Sequence, residues 1–580
     1  MSAFDRKTSS EENKLSYNEK TSDNGVDAFI VNDAEAAHSG ATLHRTMKNR
    51  HIAMISIGGV IGTGLFLGTA NSLANGGPVG LLLGYAVVGT ICYSMMISLG
   101  EMIAYLPLPG GQIMLAERFV DESWAFALGW IYWFNWIIVL PAELSAASVL
   151  IHFWTTKVND AVWVTIFLII IITINLFGAA AYGEAEFIFA SIKVITITGL
   201  IILGIVLDLG GGPNHDRLGF RYWKHPGPFV QFEHIGGSKG RFLGWFAVLT
   251  NAAFSFIGTE IVAITSGEAK NPRRNIPRAI RRVYIRILLF YIGGVTIIGL
   301  LVPSNHQDLA LNSSTAAKSP FVIAIKTAGI SGLPSVINAA LLTSALSAAS
   351  SDLYTSSRAL YGLALKGNAP SFFAKVSRFG LPYFSVAFSA SFGLLAYMAV
   401  SNGAGHVFGW FSNMTSVSGL MSWFGISVIY TQFYKGVKAQ GLDRNSLPFR
   451  APLQPFAAYY SAAFALFICL FSGWAVFLRG HWAIDIFITN YIPLVLFFAL
   501  YIGARLWKGT RWINPEDMDF KTGLDIVEAA SYEEPPPRNW VEKCWAWLVS
   551  YLVLSPSLSS SPRLLDLLCV ADDEMFMAVL

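Results

Sequence analysis

Three ionisable residues lie deep inside long apolar runs of the sequence, namely Glu143, Lys193 and Glu260. A charge at the centre of a membrane span costs about 2.5–3.5 kcal/mol on insertion scales, so such residues are usually retained for a function. A buried lysine releases its proton readily, because desolvation disfavours the charged form. We therefore predict that Lys193, Glu143 and Glu260 take up and release a coupling proton.

Each of these residues also has a purely structural alternative. Glu143, which lies about two helical turns after Asn135 on the same face, could hydrogen-bond neighbouring hydroxyls for packing alone. Lys193 could extend its ammonium group to the membrane interface. Glu260 could cap the end of a broken helix. The sequence alone leaves these alternatives open.

The first apolar run contains glycines that a continuous helix disfavours: Gly58, Gly59, Gly62 and Gly64. Each interior glycine costs roughly 1 kcal/mol of helix stability relative to alanine, and backbone groups left unpaired in lipid cost several kcal/mol more. Transporters tolerate unwound backbone at this depth where it lines a polar cavity. We predict an interrupted helix here, with close helix packing through small residues as the alternative.

A second interruption is predicted in the sixth apolar run. The segment from Phe254 to Glu260 again places a glycine, hydroxyl groups and a carboxylate inside an apolar stretch. Two interrupted helices at corresponding places in two halves of a chain indicate a site at the interface of an inverted repeat.

Interrupted helices would present both ends of the helix dipole to one ligand. Helix N-termini after Gly62 and Gly258 suit a carboxylate, whereas the opposing helix C-termini and Glu260 suit an ammonium group. A zwitterion such as an amino acid fits both. The predicted substrate-binding residues are Ile61, Gly62, Thr63, Gly64, Asn135, Phe254, Ser255, Phe256, Ile257, Gly258, Thr259, Glu260 and Thr415.

Composition excludes several other classes of protein. The 580 residues are 54% hydrophobic and 13% charged, whereas soluble proteins are about 25% charged, so we predict a protein embedded in the lipid bilayer. The net charge of +3 gives no reason to expect a nucleic-acid partner. The sequence holds no GxxxxGK, HExxH or CxxC motif, so we expect no enzyme activity, no metal and no cofactor, with the proton as the coupling ion.

Apolar runs of about 20 residues, the length that crosses a hydrocarbon core, predict twelve transmembrane helices. Alternate loops are rich in lysine and arginine, which by the positive-inside rule places them and both termini in the cytoplasm. The predicted span centres lie near Gly62, Thr90, Ile138, Ile170, Thr198, Phe254, Gly294, Ala348, Ala390, Gly419, Leu466 and Leu496.

The chain is predicted to have three parts. Residues 1–48 are polar and too poor in apolar groups to fold, so we expect a disordered cytoplasmic tail. Residues 49–509 form the transmembrane domain, and residues 510–580 form a second cytoplasmic tail. Ubiquitin modification is a candidate role for the N-terminal lysines, with plain solvated lysines as the alternative: Lys7, Lys14 and Lys20.

Ordered motifs across residues 45–547 resemble the fungal amino acid permeases of the amino acid, polyamine and organocation superfamily. Residues 550–580 depart from that family. The motifs are Arg50 to Phe66, Gly76-Gly77-Pro78, Gly100-Glu101, Pro109-Gly110-Gly111, Phe119 to Ser123, Glu184 to Phe187, Phe254 to Glu260 and Glu268 to Ile280.

The resemblance implies an all-α LeuT-type fold with five plus five inverted helices, two further C-terminal helices, and breaks in helices one and six. It implies that residues 61–64 and 255–258 bind substrate, and that Lys193 replaces a sodium ion of related transporters. It also implies proton-coupled symport of L-amino acids across the plasma membrane by alternating access. An amino acid exchanger or a sensor that binds amino acids without moving them is the alternative.

Overall fold

A computed structural model describes residues 61–107, 110–232, 235–261, 287–309, 319–377 and 380–524. These residues form helices and connecting segments without a strand, as the sequence predicts. The two tails beyond them, including the N-terminal lysines, lie outside the described residues, and so do Gly58 and Gly59. The predicted division into three parts therefore stays a prediction.

Fifteen α-helices follow one another along the described residues. A π-helical turn, Gly64–Gly68, leads into the first α-helix, and another, Ile287–Ile292, leads into the eighth. The helices are α1 Thr69–Tyr105, α2 Gly111–Phe119, α3 Glu122–Ile151, α4 Asp160–Leu176, α5 Gly178–Asp208, α6 Arg221–Lys224, α7 Gly237–Phe256, α8 Gly293–Leu301, α9 Pro320–Thr327, α10 Leu333–Leu365, α11 Tyr383–Ser391, α12 Ala399–Asn402, α13 Ala404–Ala439, α14 Phe456–Phe471 and α15 Ile484–Lys508.

Several of these helices have the length and composition of membrane spans. Among the described residues, six helical stretches are long and apolar enough to cross a membrane, and shorter apolar helices lie at 160–176, 287–301 and 456–471. Each predicted span centre lies in or beside a helix. A multi-span helical membrane protein is thus confirmed, while the count of twelve stays a prediction.

Helices α1 and α7 lie against each other through small residues. At Gly77 the chain adopts φ +74°, and Pro78 follows, so α1 is kinked at this point. The kink lies between the first predicted span and the second. A Cβ added at Gly84 would come within 2.5 Å of the Val248 side chain. Small residues at this contact bring α1 and α7 into close approach.

The segment after α15 packs against the end of the helix bundle. Met518 and Phe520 are 3% and 2% exposed, and the backbone N–H of Ile513 donates a 2.8 Å hydrogen bond to the carbonyl of Val120. Arg118 donates to the carbonyl of Thr522 at 3.0 Å. The first fifteen or so residues of the predicted C-terminal tail, up to residue 524, are therefore part of the folded body.

A buried ion pair stabilises the same end of the bundle. Arg444 donates to both carboxylate oxygens of Glu101 at 2.6 Å, and Glu101 also accepts the backbone N–H of Ala451 at 2.8 Å. The hydrogen bond to Glu101 raises the pKa of Arg444. Glu101 is fully buried, so its charge depends on this bidentate partner.

We expect Glu101→Ala to lower the free energy of unfolding by about 3 kcal/mol, because it removes the acceptor of two Arg444 hydrogen bonds and of the Ala451 N–H, and a hydrogen bond to a charged group is worth about 1.5–3 kcal/mol. Thermal unfolding of the detergent-solubilised protein measures the effect. The exposed pair Asp216 and Arg221 supplies the control, since Asp216→Asn should leave the unfolding temperature unchanged. Equal unfolding temperatures for both variants would contradict the stabilising role of Glu101.

Candidate functional site

The first predicted interruption coincides with the start of a helix. Ile61 and Gly62 are not helical, and the π-helical turn begins at Gly64. The side-chain hydroxyl of Ser344 donates to the carbonyl of Ile61 at 3.3 Å. A side chain of α10 thus replaces a hydrogen bond that a continuous helix would supply. The residues before Ile61 lie outside the described part of the chain.

The second predicted interruption coincides with the end of α7. The helix ends at Phe256, Ile257 is extended with φ −62° and ψ 144°, and Gly258 has φ +96°. Only glycine adopts such a φ without strain. The carboxylate of Glu260 accepts the N–H of Gly258 at 3.2 Å, which fixes the chain just after the end of α7.

The start of the first helix and the end of α7 approach each other at Gly64. A Cβ built on Gly64 would lie 2.8 Å from Cα of Ser255 and 2.9 Å from its hydroxyl oxygen. No side chain fits between them. The hydroxyl of Ser255 in turn hydrogen-bonds that of Tyr85 at 2.8 Å, which ties the end of α7 to α1.

A cavity of about 40 Å³ lies where these segments meet. That volume holds a few water molecules. Of the predicted substrate and coupling residues, six line it, and four further residues complete the wall. The lining residues are Gly62, Gly64, Glu143, Phe254, Ile257, Thr415, Trp136, Val139, Ala348 and Asp352.

Glu143 joins α3 to the first segment. Its Oε1 accepts a 2.8 Å hydrogen bond from the Thr63 hydroxyl, and a Cβ on Gly62 would lie 3.2 Å from the same oxygen. Its Oε2 has no hydrogen-bond partner among the described residues. The carboxylate is thus held in place by one oxygen and leaves the other available at the cavity wall.

Lys193 lies in a buried ion pair on α5. The side chain is 1% exposed, and its Nζ lies 3.7 Å from Oε1 of Glu186. The ammonium group is therefore enclosed by the helix bundle and does not extend to the membrane interface, which was the structural alternative for this residue. Glu186 also accepts hydrogen bonds from the hydroxyls of Ser347 and Ser351, at 2.6 Å and 3.3 Å, which connects α5 to α10.

Glu260 points to a neighbouring helix and does not line the cavity. Its Oε2 accepts the indole N–H of Trp423 at 3.2 Å in addition to the N–H of Gly258. Glu260 is completely buried, and its Oε1 has no hydrogen-bond partner within the described ranges. Its two hydrogen bonds connect the chain just after α7 to Trp423 of α13.

Other predicted residues, which are not among the lining residues of the cavity, contact neighbouring helices and segments. Asn135 accepts the Ser418 hydroxyl at 2.8 Å. Phe256 stacks on Tyr291 with ring centroids 4.5 Å apart, and the Thr259 hydroxyl lies 3.3 Å from Sγ of Cys92. We infer that most of these side chains hold the two non-helical segments in place and do not contact a ligand in the cavity.

Sequence reasoning missed Asp352, which lines the cavity from α10. The criterion that identified Glu143, a carboxylate within an apolar span, applies equally to Asp352. The run of serines from Ser344 to Ser351 lowers the hydropathy of this segment and hides the signal.

Comparison with known proteins decides the family. The model of the amino acid permease family matches residues 51–514. The chain belongs to the amino acid permease family. It is therefore a multi-span transporter of amino acids and not an enzyme.

The permease is similar to curated fungal proteins over most of its length. It is 42% identical to a lysine-specific permease of Saccharomyces cerevisiae, over 89% of this chain and 85% of that protein. It is 42% identical to a dicarboxylic amino acid permease of the same yeast, covering 90% and 87%. It is 41% identical to a proline-specific permease of Emericella nidulans, covering 87% and 93%.

We expect Gly64→Ala to reduce amino acid uptake by this permease roughly tenfold to hundredfold, the scale on which a shift of about 1 Å disrupts a binding geometry. The added methyl group forces the first segment away from Ser255. Radiolabelled uptake, normalised to the amount of permease in the membrane, measures the effect.

Gly68→Ala is the matched control. Gly68 ends the same π-helical turn, and a Cβ there meets no atom within 4 Å. This variant should transport like the wild type. Equal uptake by the Gly64→Ala and Gly68→Ala variants would show that the close approach at Gly64 is not required.

Proposed function

We propose that this protein is a proton-coupled symporter that imports L-amino acids across the fungal plasma membrane by alternating access, with a LeuT-type architecture. The observation that carries the proposal is a cavity bounded by both non-helical segments and by the carboxylate of Glu143. Membership of the amino acid permease family identifies the substrate class as amino acids. The direction of transport and the coupling ion are the proposed part.

The amino acid would bind through both ends of its backbone. The N-terminal end of the helix that begins at Gly64 favours a carboxylate, because its first N–H groups carry partial positive charge. The C-terminal end of α7 at Phe256 carries partial negative charge and favours the ammonium group. Phe254, Ile257 and Thr415 on the cavity wall would contact the side chain.

Coupling would depend on Lys193 and Glu143. An ammonium group in a low-dielectric interior gains or loses its proton when its surroundings change, and Glu186 is its only ion-pair partner among the described residues. Opening of the cavity to one side of the membrane and then to the other would change those surroundings. Glu260, which fastens the end of α7, would stabilise the closed arrangement of the second segment.

Uptake assays in yeast cells that lack their own permeases test the proposal. The relatives include lysine-specific, dicarboxylic and proline-specific permeases, so L-lysine, L-glutamate and L-proline are the first radiolabelled substrates, followed by competition with the twenty amino acids. We expect accumulation that a proton uncoupler abolishes.

Two other outcomes would contradict symport. Uptake that requires cells preloaded with amino acid, and that the uncoupler leaves unchanged, identifies an exchanger. Saturable binding to purified protein without uptake in cells or liposomes identifies a sensor.

We expect Lys193→Met to lower uncoupler-sensitive uptake at least about tenfold, equivalent to about 1.4 kcal/mol, and to flatten its dependence on external pH. A methionine fills the space but carries no proton. Lys326, an exposed lysine at the end of α9, gives the control variant Lys326→Met, which should behave like the wild type. Unchanged pH dependence in Lys193→Met would remove this lysine from the coupling mechanism.

A further inference from the structure

Asp352 is a buried carboxylate without a described hydrogen-bond donor for one of its oxygens. The side chain is 3% exposed and lines the cavity from α10. Its Oδ2 has no hydrogen-bond partner among the residues that the structure describes. Buried polar groups are nearly always paired, so this oxygen marks a place where water or a proton belongs.

The titratable groups around Asp352 come from two helices. Glu143 on α3 and the Glu186 and Lys193 pair on α5 all interact with it electrostatically. Tyr182 is a further titratable group on α5, and its hydroxyl donates to Ser351, the residue before Asp352, at 3.0 Å. Among the described residues, the other elements that line the cavity contribute no titratable side chain to its wall.

This set holds more negative than positive charge. The carboxylates of Glu143, Glu186 and Asp352 face the single ammonium group of Lys193 within the described residues. Carboxylates that share a low-dielectric site do not all ionise, because each charge disfavours the next. At least one exchangeable proton therefore belongs to the set as a whole.

Asp352 connects the cavity with the ion pair through α10. It lies on the cavity wall, whereas Glu186 and Lys193 do not. Glu186 is nevertheless tied to the same helix, through the hydroxyls of Ser347 and Ser351. A proton that enters with cavity water thus meets Asp352 and Glu143 before it reaches Lys193.

We infer that Asp352 is the carboxylate that passes the coupled proton between the cavity and the Lys193 and Glu186 pair. The inference rests on the proposed symport. A proton from the outer solution binds one oxygen of Asp352, is handed to the α5 pair as the cavity closes, and leaves to the cytoplasm. One O–H or N–H bond forms as another breaks, and the permease returns to its starting state.

Asp352 also has a competing role, as a ligand for the substrate ammonium group. Both roles place a carboxylate on the cavity wall, but they differ in what its removal changes. A proton carrier is needed only for uphill transport. A substrate ligand is needed for every mode of transport, including exchange.

Purified permease in liposomes separates these roles. Radiolabelled L-lysine, L-glutamate and L-proline are each measured for accumulation under an inward proton gradient and for counterflow without one. We expect Asp352→Asn to lose accumulation completely and to keep counterflow with an unchanged KM. Asp352→Glu should keep accumulation with a shifted pH profile, and Asp216→Asn, a change at an exposed aspartate, should match the wild type.

The remaining outcomes overturn the inference. Proton-driven accumulation by Asp352→Asn at the wild-type level shows that the proton does not pass this residue. Loss of counterflow or a raised KM in that variant assigns Asp352 to substrate binding instead. If Asp352→Asn does not fold, an unchanged pH profile of Asp352→Glu contradicts the inference. Wild-type permease without proton-driven accumulation refutes the proposed symport itself, before any variant is compared.

Discussion

The structure depends on the free-energy cost of ionisable groups in a low-dielectric interior. Nζ of Lys193 lies 3.7 Å from Oε1 of Glu186, and both side chains are almost completely buried. Either charge alone would be costly at such a depth. We infer that this cost favours packing of α5 with the pair facing inward, where Ser347 and Ser351 of α10 donate to Oε2 of Glu186. Glu143 follows the same rule with the Thr63 hydroxyl.

Glycines make that arrangement possible, because they let backbones meet where charged side chains need partners. Gly64 lies so close to Ser255 that no Cβ fits between them. The start of one helix and the end of α7 therefore bound one cavity, with Glu143 and Asp352 on its wall. The helix ends provide fixed partial charges of opposite sign, and the carboxylates provide groups that titrate. In the proposed mechanism, substrate binding and proton coupling therefore share one small volume.

The sequence predicted those features whose signal is local. A glycine or a carboxylate inside an apolar run is unfavourable by itself, so the helix ends at Gly62 and Ile257 and the burial of Lys193 could be anticipated. Partners on other helices could not, because the contact of Trp423 with Glu260 depends on tertiary packing. For the same reason the sequence did not reveal that Glu260 points away from the cavity. Asp352 was detectable in principle, but adjacent serines masked it.

The central claim is that an amino acid binds between the segment at Gly62–Gly64 and the end of α7. A cryo-electron microscopy map of the permease, saturated with its best transported amino acid, tests it most directly. We expect ligand density in contact with both segments, with the carboxylate towards the helix that begins at Gly64 and the ammonium group towards Phe256. Density at another place in the bundle, with this cavity holding only water, would contradict it.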